Sequence, residues 1–229
     1  MGCRYRDRMI SPGPNPPTIV RPPGDLVERI NRGAVGPAVR AIASRARTPS
    51  WRRAGRPAPA PPHVKQQLVL ERVKAFRPST FVETGTYRGD TIAAVRRHVA
   101  RSVSIELDET LCALARRRFR RHSDVEILWG DSGTLLATIV EGLVEPAAFW
   151  LDGHFSGGVT ADTGGDAPIL SELEAVLSSP IPHLILIDDA RMFDGTSGYP
   201  TLDVVKALVA AHRPDAPATT ENDIVVCRP

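Results

Sequence analysis

The chain has 229 residues, 42% hydrophobic and 24% charged, with a formal net charge of +3. That length supports one domain with a core of ordinary size plus a tail. No run approaches the roughly 18 apolar residues of a membrane span, and the N-terminus lacks the continuous apolar stretch of a secretory signal. Cys3, Cys112 and Cys227 are too scattered for a zinc site or a disulfide framework, so a cytoplasmic protein is expected.

Residues 1–63 differ from the rest. They hold the main proline clusters and twelve arginines against Asp7, Asp25 and Glu28, a local charge of +9, while the remainder carries −6. This segment is expected to be a largely disordered leader with a helix around residues 25–47, and residues 64–229 to form the catalytic domain. Of 29 basic residues only Lys65, Lys74 and Lys206 are lysine, and the arginine skew runs along the whole chain as genome composition would produce it. No aromatic interleaving suggests base stacking, and a nucleic-acid partner is not expected. Beyond a small-molecule partner, a homodimer is compatible with the sequence.

From residue 64 strands and helices alternate, which predicts a doubly wound, mainly parallel Rossmann-like α/β sheet covered on both faces. The first strand runs through Phe81-Val82 into Glu83-Thr84-Gly85-Thr86-Tyr87-Arg88-Gly89, and a helix follows over Asp90–Val99. Glycines at such a turn let the backbone approach a ligand. The pattern is neither Gly-x-Gly-x-x-Gly nor a P-loop. Glu83 stands where a phosphate loop avoids negative charge, which favours a ligand bearing an amine or another cation. A second strand, Ser102–Glu106, ends in an acid 21 residues after Gly85, the place from which ribose hydroxyls are held. The alternative for Glu106 is a solvated acid opening the helix predicted over Asp108–Arg121. The third strand, Val125–Trp129, leads to Gly130-Asp131. Asp131 is placed either to accept from an exocyclic amine or to cap the next helix.

The fourth strand, Ala147–Asp152, ends beside Gly153 and His154. A glycine-rich loop over residues 155–166 follows as a candidate lid. The apolar run Pro182–Asp188 reads as a central parallel strand ending in Asp188-Asp189. Tyr199–His212 has helical spacing, and Asp223–Cys227 is a last, antiparallel strand. A strand order of 3-2-1-4-5 puts strands one and four beside the ligand crevice. If the strand has ended before Asp188 and Asp189, these and Asp152 form an oxygen-only group suited to a hard cation such as Mg²⁺; otherwise the pair points to opposite faces and one of them caps the next loop. Such a cation would offset their repulsion and activate a substrate hydroxyl. His154 is the candidate general base, since its ordinary pKa lies near neutrality. Arg191 either binds an anionic substrate or neutralises nearby acids; Tyr199 either lines a pocket or packs under the next helix.

Residues 80–131 resemble the cofactor half of a class I S-adenosylmethionine-dependent methyltransferase. The run Val82-Glu83-Thr84-Gly85-Thr86-Tyr87-Arg88-Gly89 is similar to that of the macrocin O-methyltransferase-like group, as are Leu151-Asp152-Gly153 and Ile187-Asp188-Asp189. The resemblance implies O-methylation of a small-molecule hydroxyl with S-adenosylmethionine as cofactor. Glu83, Gly85 and Gly89 would lie along its methionine part, Glu106 at ribose and Asp131 near adenine. The resembling enzymes carry an aspartate, assigned as base, where this chain has His154. Two other readings are a non-catalytic cofactor-binding module and an enzyme of the cephalosporin hydroxylase type.

Overall fold

Side chains alternate across a strand, so a sheet covered on both faces needs apolar residues at nearly every strand position. In the computed structural model, which describes residues 37–152 and 168–229, the strands at 147–151, 184–187 and 224–227 meet this demand, while those at 80–84 and 101–106 also bury Glu83, Thr84, Ser102, Ser104 and Glu106. The strands are β1 (Thr80–Thr84), β2 (Arg101–Glu106), β3 (Val125–Trp129), β4 (Ala147–Leu151), β5 (Leu184–Ile187), β6 (Thr219–Glu221) and β7 (Ile224–Cys227). They form one sheet in the order β3-β2-β1-β4-β5-β7-β6. The first five are mutually parallel and β7 runs antiparallel to β5. This is the expected order with its antiparallel C-terminal strand; β6, which pairs with β7, was not anticipated.

The helices among the described residues are α1 (Pro37–Arg53), α2 (Pro62–Phe76), α3 (Asp90–Val95), α4 (Glu109–Phe119), α5 (Ser132–Glu141), α6 (Pro168–Leu177) and α7 (Leu202–His212). On one face Phe81, Ala148, Trp150, Leu184 and Leu186 pack with residues of α2, α3 and α4 such as Val69, Ile92 and Ala115. On the other, Val82, Phe149, Leu151, Ile185 and Ile187 pack with Leu136, Leu173 and Val205 of α5, α6 and α7. Helix α3 stops at Val95 and continues as one 3₁₀ turn, Arg96–His98, rather than running to Val99 as the apolar spacing suggested. The expected helix 25–47 falls partly outside the described residues; its described part belongs to α1, which continues to Arg53.

His183 is fully buried. Its Nδ1 accepts from the Ala147 N–H at 3.0 Å and its Nε2 faces Ser179 Oγ at 3.0 Å. Burial, with help from Arg213, lowers its pKa to about 4, so it is a neutral clamp between neighbouring strands, as a structural histidine should be. The sheet edges β3 and β6 each carry an ion pair. Arg101 binds Glu126 at 2.6 Å, and Arg72 of α2 binds Glu221.

Leu186 is fully buried between β5 and the α2 face. Leu186→Ala is expected to lower the unfolding free energy by about 2–5 kcal/mol, through lost transfer energy and an unfilled cavity, as measured by urea denaturation.

Candidate functional site

Parallel pairing aligns the carboxyl ends of the strands. Thr84 pairs with Ile105 on one side and Leu151 on the other, and Leu151 pairs with Ile187. The loops that follow β1, β2, β4 and β5 therefore leave the sheet together, and the crevice opens where the crossovers reverse, between β1 and β4.

The loop after β1 is wired into β2. Gly85, at φ 78°, and Thr86 both donate backbone N–H groups to the Ile105 carbonyl, at 2.9 and 3.2 Å. Tyr87 is also held at positive φ, 47°, strained for a bulky residue. Its N–H donates to Glu106 Oε2 at 2.7 Å, while Asp108 N–H donates to Oε1 at 2.9 Å. Gly89 sits at φ 67°, and a Cβ there would lie 2.6 Å from the Phe119 ring, so close packing on α4 as well as the turn requires glycine.

Glu83 lies within β1, buried, and accepts from Ser104 Oγ at 2.7 Å. Ser104 Oγ is in turn 2.7 Å from Thr86 Oγ1. Burial raises the Glu83 pKa well above the usual carboxylate range; Asp152, Glu106 and Asp90 add to the rise, and the Ser104 hydrogen bond opposes it. The neutral form of this acid is therefore favoured under the glycine loop. Gly130 N–H donates to the Glu106 carbonyl at 3.0 Å, which ties the β3 tip to the β2 tip. Asp131 is exposed and caps α5, accepting from Gly133 N–H at 3.1 Å. The structure therefore brings Glu83, Gly85, Gly89 and Glu106 together and sets Asp131 at the neighbouring tip in its capping role.

Asp152 follows β4, its N–H donating to Thr84 Oγ1 at 3.2 Å. Thr84 Oγ1 in turn lies 3.4 Å from Glu172 Oε2 on α6. Glu172 is almost completely buried, and its other oxygen, Oε1, has no hydrogen-bond partner. Burial is the main reason its pKa rises to about 7, against the pull of Ser132 and Thr84 and with added push from Asp131 and Asp152. Sequence reasoning missed Glu172; an acid among apolar residues at helical spacing was the available signal.

The metal expectation needs correction. Asp188 and Asp189 do converge, because β5 has ended and Asp189 turns into the left-handed region at φ 55°. What they converge on is Lys65, in the first turn of α2. Its Nζ lies 2.6 Å from Asp188 Oδ1, bonds Asp189 Oδ1, and lies 3.4 Å from Asp223 Oδ2. Arg191 bonds Asp189 Oδ1 at 2.5 Å and also Asp223, so of its two expected roles it takes that of neutralising acids. Tyr199 packs edge-on against Phe193, ring centres 5.8 Å apart. Burial opposes charge on Lys65, but Asp188 and Asp189 outweigh it and the amine is held above its usual range. Burial and Asp152 push Asp188 upward against the pull of Lys65. The 2.6 Å contact and three acids around one amine favour a persistently charged Lys65, and burial and the crowding of negative charge are felt at Asp188, whose pKa is raised to about 7. No group of three acids, histidines or cysteines suited to a metal occurs among the described residues. His154 and the loop 155–166 lie outside the described residues.

No protein-family model matches the sequence, and neither does any curated protein. Solved structures do match. An O-methyltransferase from Bacillus cereus in complex with SAH aligns at 17% identity and TM-score 0.53, covering 88% of this chain and 96% of that one. The O-methyltransferase TomG from Streptomyces achromogenes, in complex with SAM, aligns at 16% identity and TM-score 0.53, over 82% and 88%. The SAH-bound Podospora anserina methyltransferase PaMTH1 aligns at 15% and 0.51, over 92% and 98%. The chain therefore has the Rossmann-like fold of the class I methyltransferases. No helix among the described residues is long and apolar enough to cross a membrane.

The Glu172 pKa, raised from an ordinary 4.5 to about 7, makes this carboxyl stabilising only while protonated. Its contribution is complete below about pH 4.5 and is lost as pH rises through about 7, because the unfolded chain releases the proton first. Glu172→Gln is expected to remove that part of the pH slope and, at about pH 8, to be more stable than the parent by roughly 1–3 kcal/mol. Urea unfolding of both proteins at about pH 5 and pH 8 checks it; an identical pH slope in the two contradicts it.

Proposed function

We propose that this protein is an S-adenosylmethionine-dependent methyltransferase acting on a hydroxyl of a small molecule. The observation that carries the reading is the wiring of the β1 loop. Buried Glu83 and Glu106 stand at adjacent strand ends, joined through Ser104, Thr86 and the Tyr87 N–H. The shared fold with SAM- and SAH-bound methyltransferases supports it. In this reading residues 64–229 carry the chemistry and the arginine-rich segment 1–63 is a leader. The group resembling macrocin O-methyltransferases remains the nearest family reading.

Glu83 receives the amino group of the cofactor's methionine part, with Gly85 and Gly89 allowing backbone approach. Glu106 accepts from the ribose hydroxyls through lone pairs left after Tyr87 and Asp108. Asp131, while capping α5, borders the adenine end. When bound, S-adenosylmethionine supplies an electrophilic methyl group on a positively charged sulfur. His154 would accept the proton of the acceptor hydroxyl as that oxygen takes the methyl group from sulfur. Asp152, whose N–H is held by Thr84, borders the acceptor end of the crevice. In-line displacement makes alignment the dominant catalytic contribution. Asp152, Asp188 and Asp189 were the residues expected to hold a Mg²⁺ ion that would activate the hydroxyl; with Lys65 on Asp188 and Asp189, that donor set does not suit one.

Calorimetric titration with S-adenosylhomocysteine, followed by turnover of S-adenosylmethionine with a panel of small hydroxylated acceptors, tests the reading; absence of any binding would sink it. Glu106→Ala is expected to weaken S-adenosylhomocysteine binding by about 1–3 kcal/mol, as for a lost charged hydrogen bond. The ligand ammonium stabilises ionised Glu83, so binding releases a proton and affinity rises with pH. Glu83→Gln is expected to flatten that rise, read from titrations across a pH series.

A further inference from the structure

We propose that Lys65 is the resident cation of the strand-tip acid cluster and stands in for a divalent metal, so the cleft works without one. Three carboxylates meet in one buried place. Asp188 and Asp189 come from the end of β5, and Asp223 from the turn between β6 and β7. Like charges at this range require a compensating cation. The chain supplies one from α2, 124 residues away in sequence from Asp189.

The chemistry of an ammonium fits the arrangement better than that of a hard metal ion. An ammonium has three N–H donors and no acceptor, and Lys65 has three carboxylate neighbours, Asp188 and Asp189 in close contact and Asp223 at 3.4 Å. Mg²⁺ demands near-octahedral oxygen ligands at about 2.0–2.1 Å and keeps several waters. Here the facing oxygens are already used. Asp188 Oδ1 binds Lys65 and also accepts from the Asp189 N–H at 2.7 Å. Asp189 Oδ1 is shared between Lys65 and Arg191. Asp223 Oδ1 accepts from the Arg191 N–H at 2.9 Å. The Lys65 side chain is only 11% exposed and that of Asp223 3%, so neither is a solvated surface charge. Arg191, one-third exposed, closes the cluster on its outer side.

Among the described residues two cations face three acids, leaving one acid in excess. A divalent ion in place of Lys65 would cancel it. The monovalent solution keeps the crevice mildly anionic beside Asp152, an environment that favours a positively charged reactant. Lys65 is thus a positioning residue: it fixes Asp188 and Asp189 and sets the local charge. The metal-binding consequence stands on this geometry alone; only its link to methyl transfer rests on the methyltransferase reading.

The test is a titration of the full chain, stripped with chelator, with Mn²⁺, following the free-ion signal by electron paramagnetic resonance. The parent protein is expected to leave that signal undiminished, whereas Lys65→Met, which empties the cluster of its ammonium at similar size, is expected to bind Mn²⁺ at least tenfold more tightly. Adding Asp188→Asn to Lys65→Met should abolish the gain. Lys65→Gln replaces Lys65→Met if the latter does not fold. Tight Mn²⁺ binding by the parent that disappears in Asp188→Asn overturns the proposal, and so does absence of a gain in the Lys65 variants. S-adenosylhomocysteine titrated into the same preparations reports separately on the methyltransferase reading.

Discussion

Five parallel strands in shared register put every strand tip on one edge, and this chain has loaded that edge with carboxyl groups. Burying an ionised acid without a partner costs several kcal/mol, so each must be protonated, hydrogen-bonded or paired. All three solutions are used. Glu83 and Glu172 are driven toward the protonated form by burial. Glu106 accepts two backbone N–H groups. Asp188, Asp189 and Asp223 share Lys65 and Arg191. The loop after β1, the turn after β5 and the α2 N-terminus each supply partners to these acids.

Much of the fold was legible in the residues. The runs at 147–151 and 184–187 are apolar enough to be buried on both faces, those at 81–84 and 102–106 are short strand-like runs ending in polar or acidic residues, and intervening helices require parallel crossovers. Glycines at 85 and 89 mark a turn that other residues adopt only under strain. Boundaries were less legible: α3 gives way to a 3₁₀ turn at Arg96, where apolar spacing continued to Val99. The short β6, with no buried residue, carries no apolar signal at all.

The candidate site was legible where partners lie close in the pattern, and obscure where they meet across the fold. The acids of β1 and β2 sit at strand ends whose pairing can be foreseen. The partner of Asp188 and Asp189 cannot be, because nothing local links a lysine at the start of α2 to the end of β5. An oxygen-only trio then reads as a metal site, since hard cations are the usual answer to clustered acids. Lysine scarcity was the one clue: among 29 basic residues only three are lysine, and one of those three is the buried one. Glu172 was hidden differently, because an acid on an amphipathic helix ordinarily faces water.

The guarded rims of the sheet carry a consequence for assembly. The edge strand β3 carries the Arg101–Glu126 pair, and the three-residue β6 is tied by Glu221 to Arg72. Short, charged borders of this kind resist strand addition. Ribbon-like growth through main-chain pairing is thereby disfavoured at both of these edges.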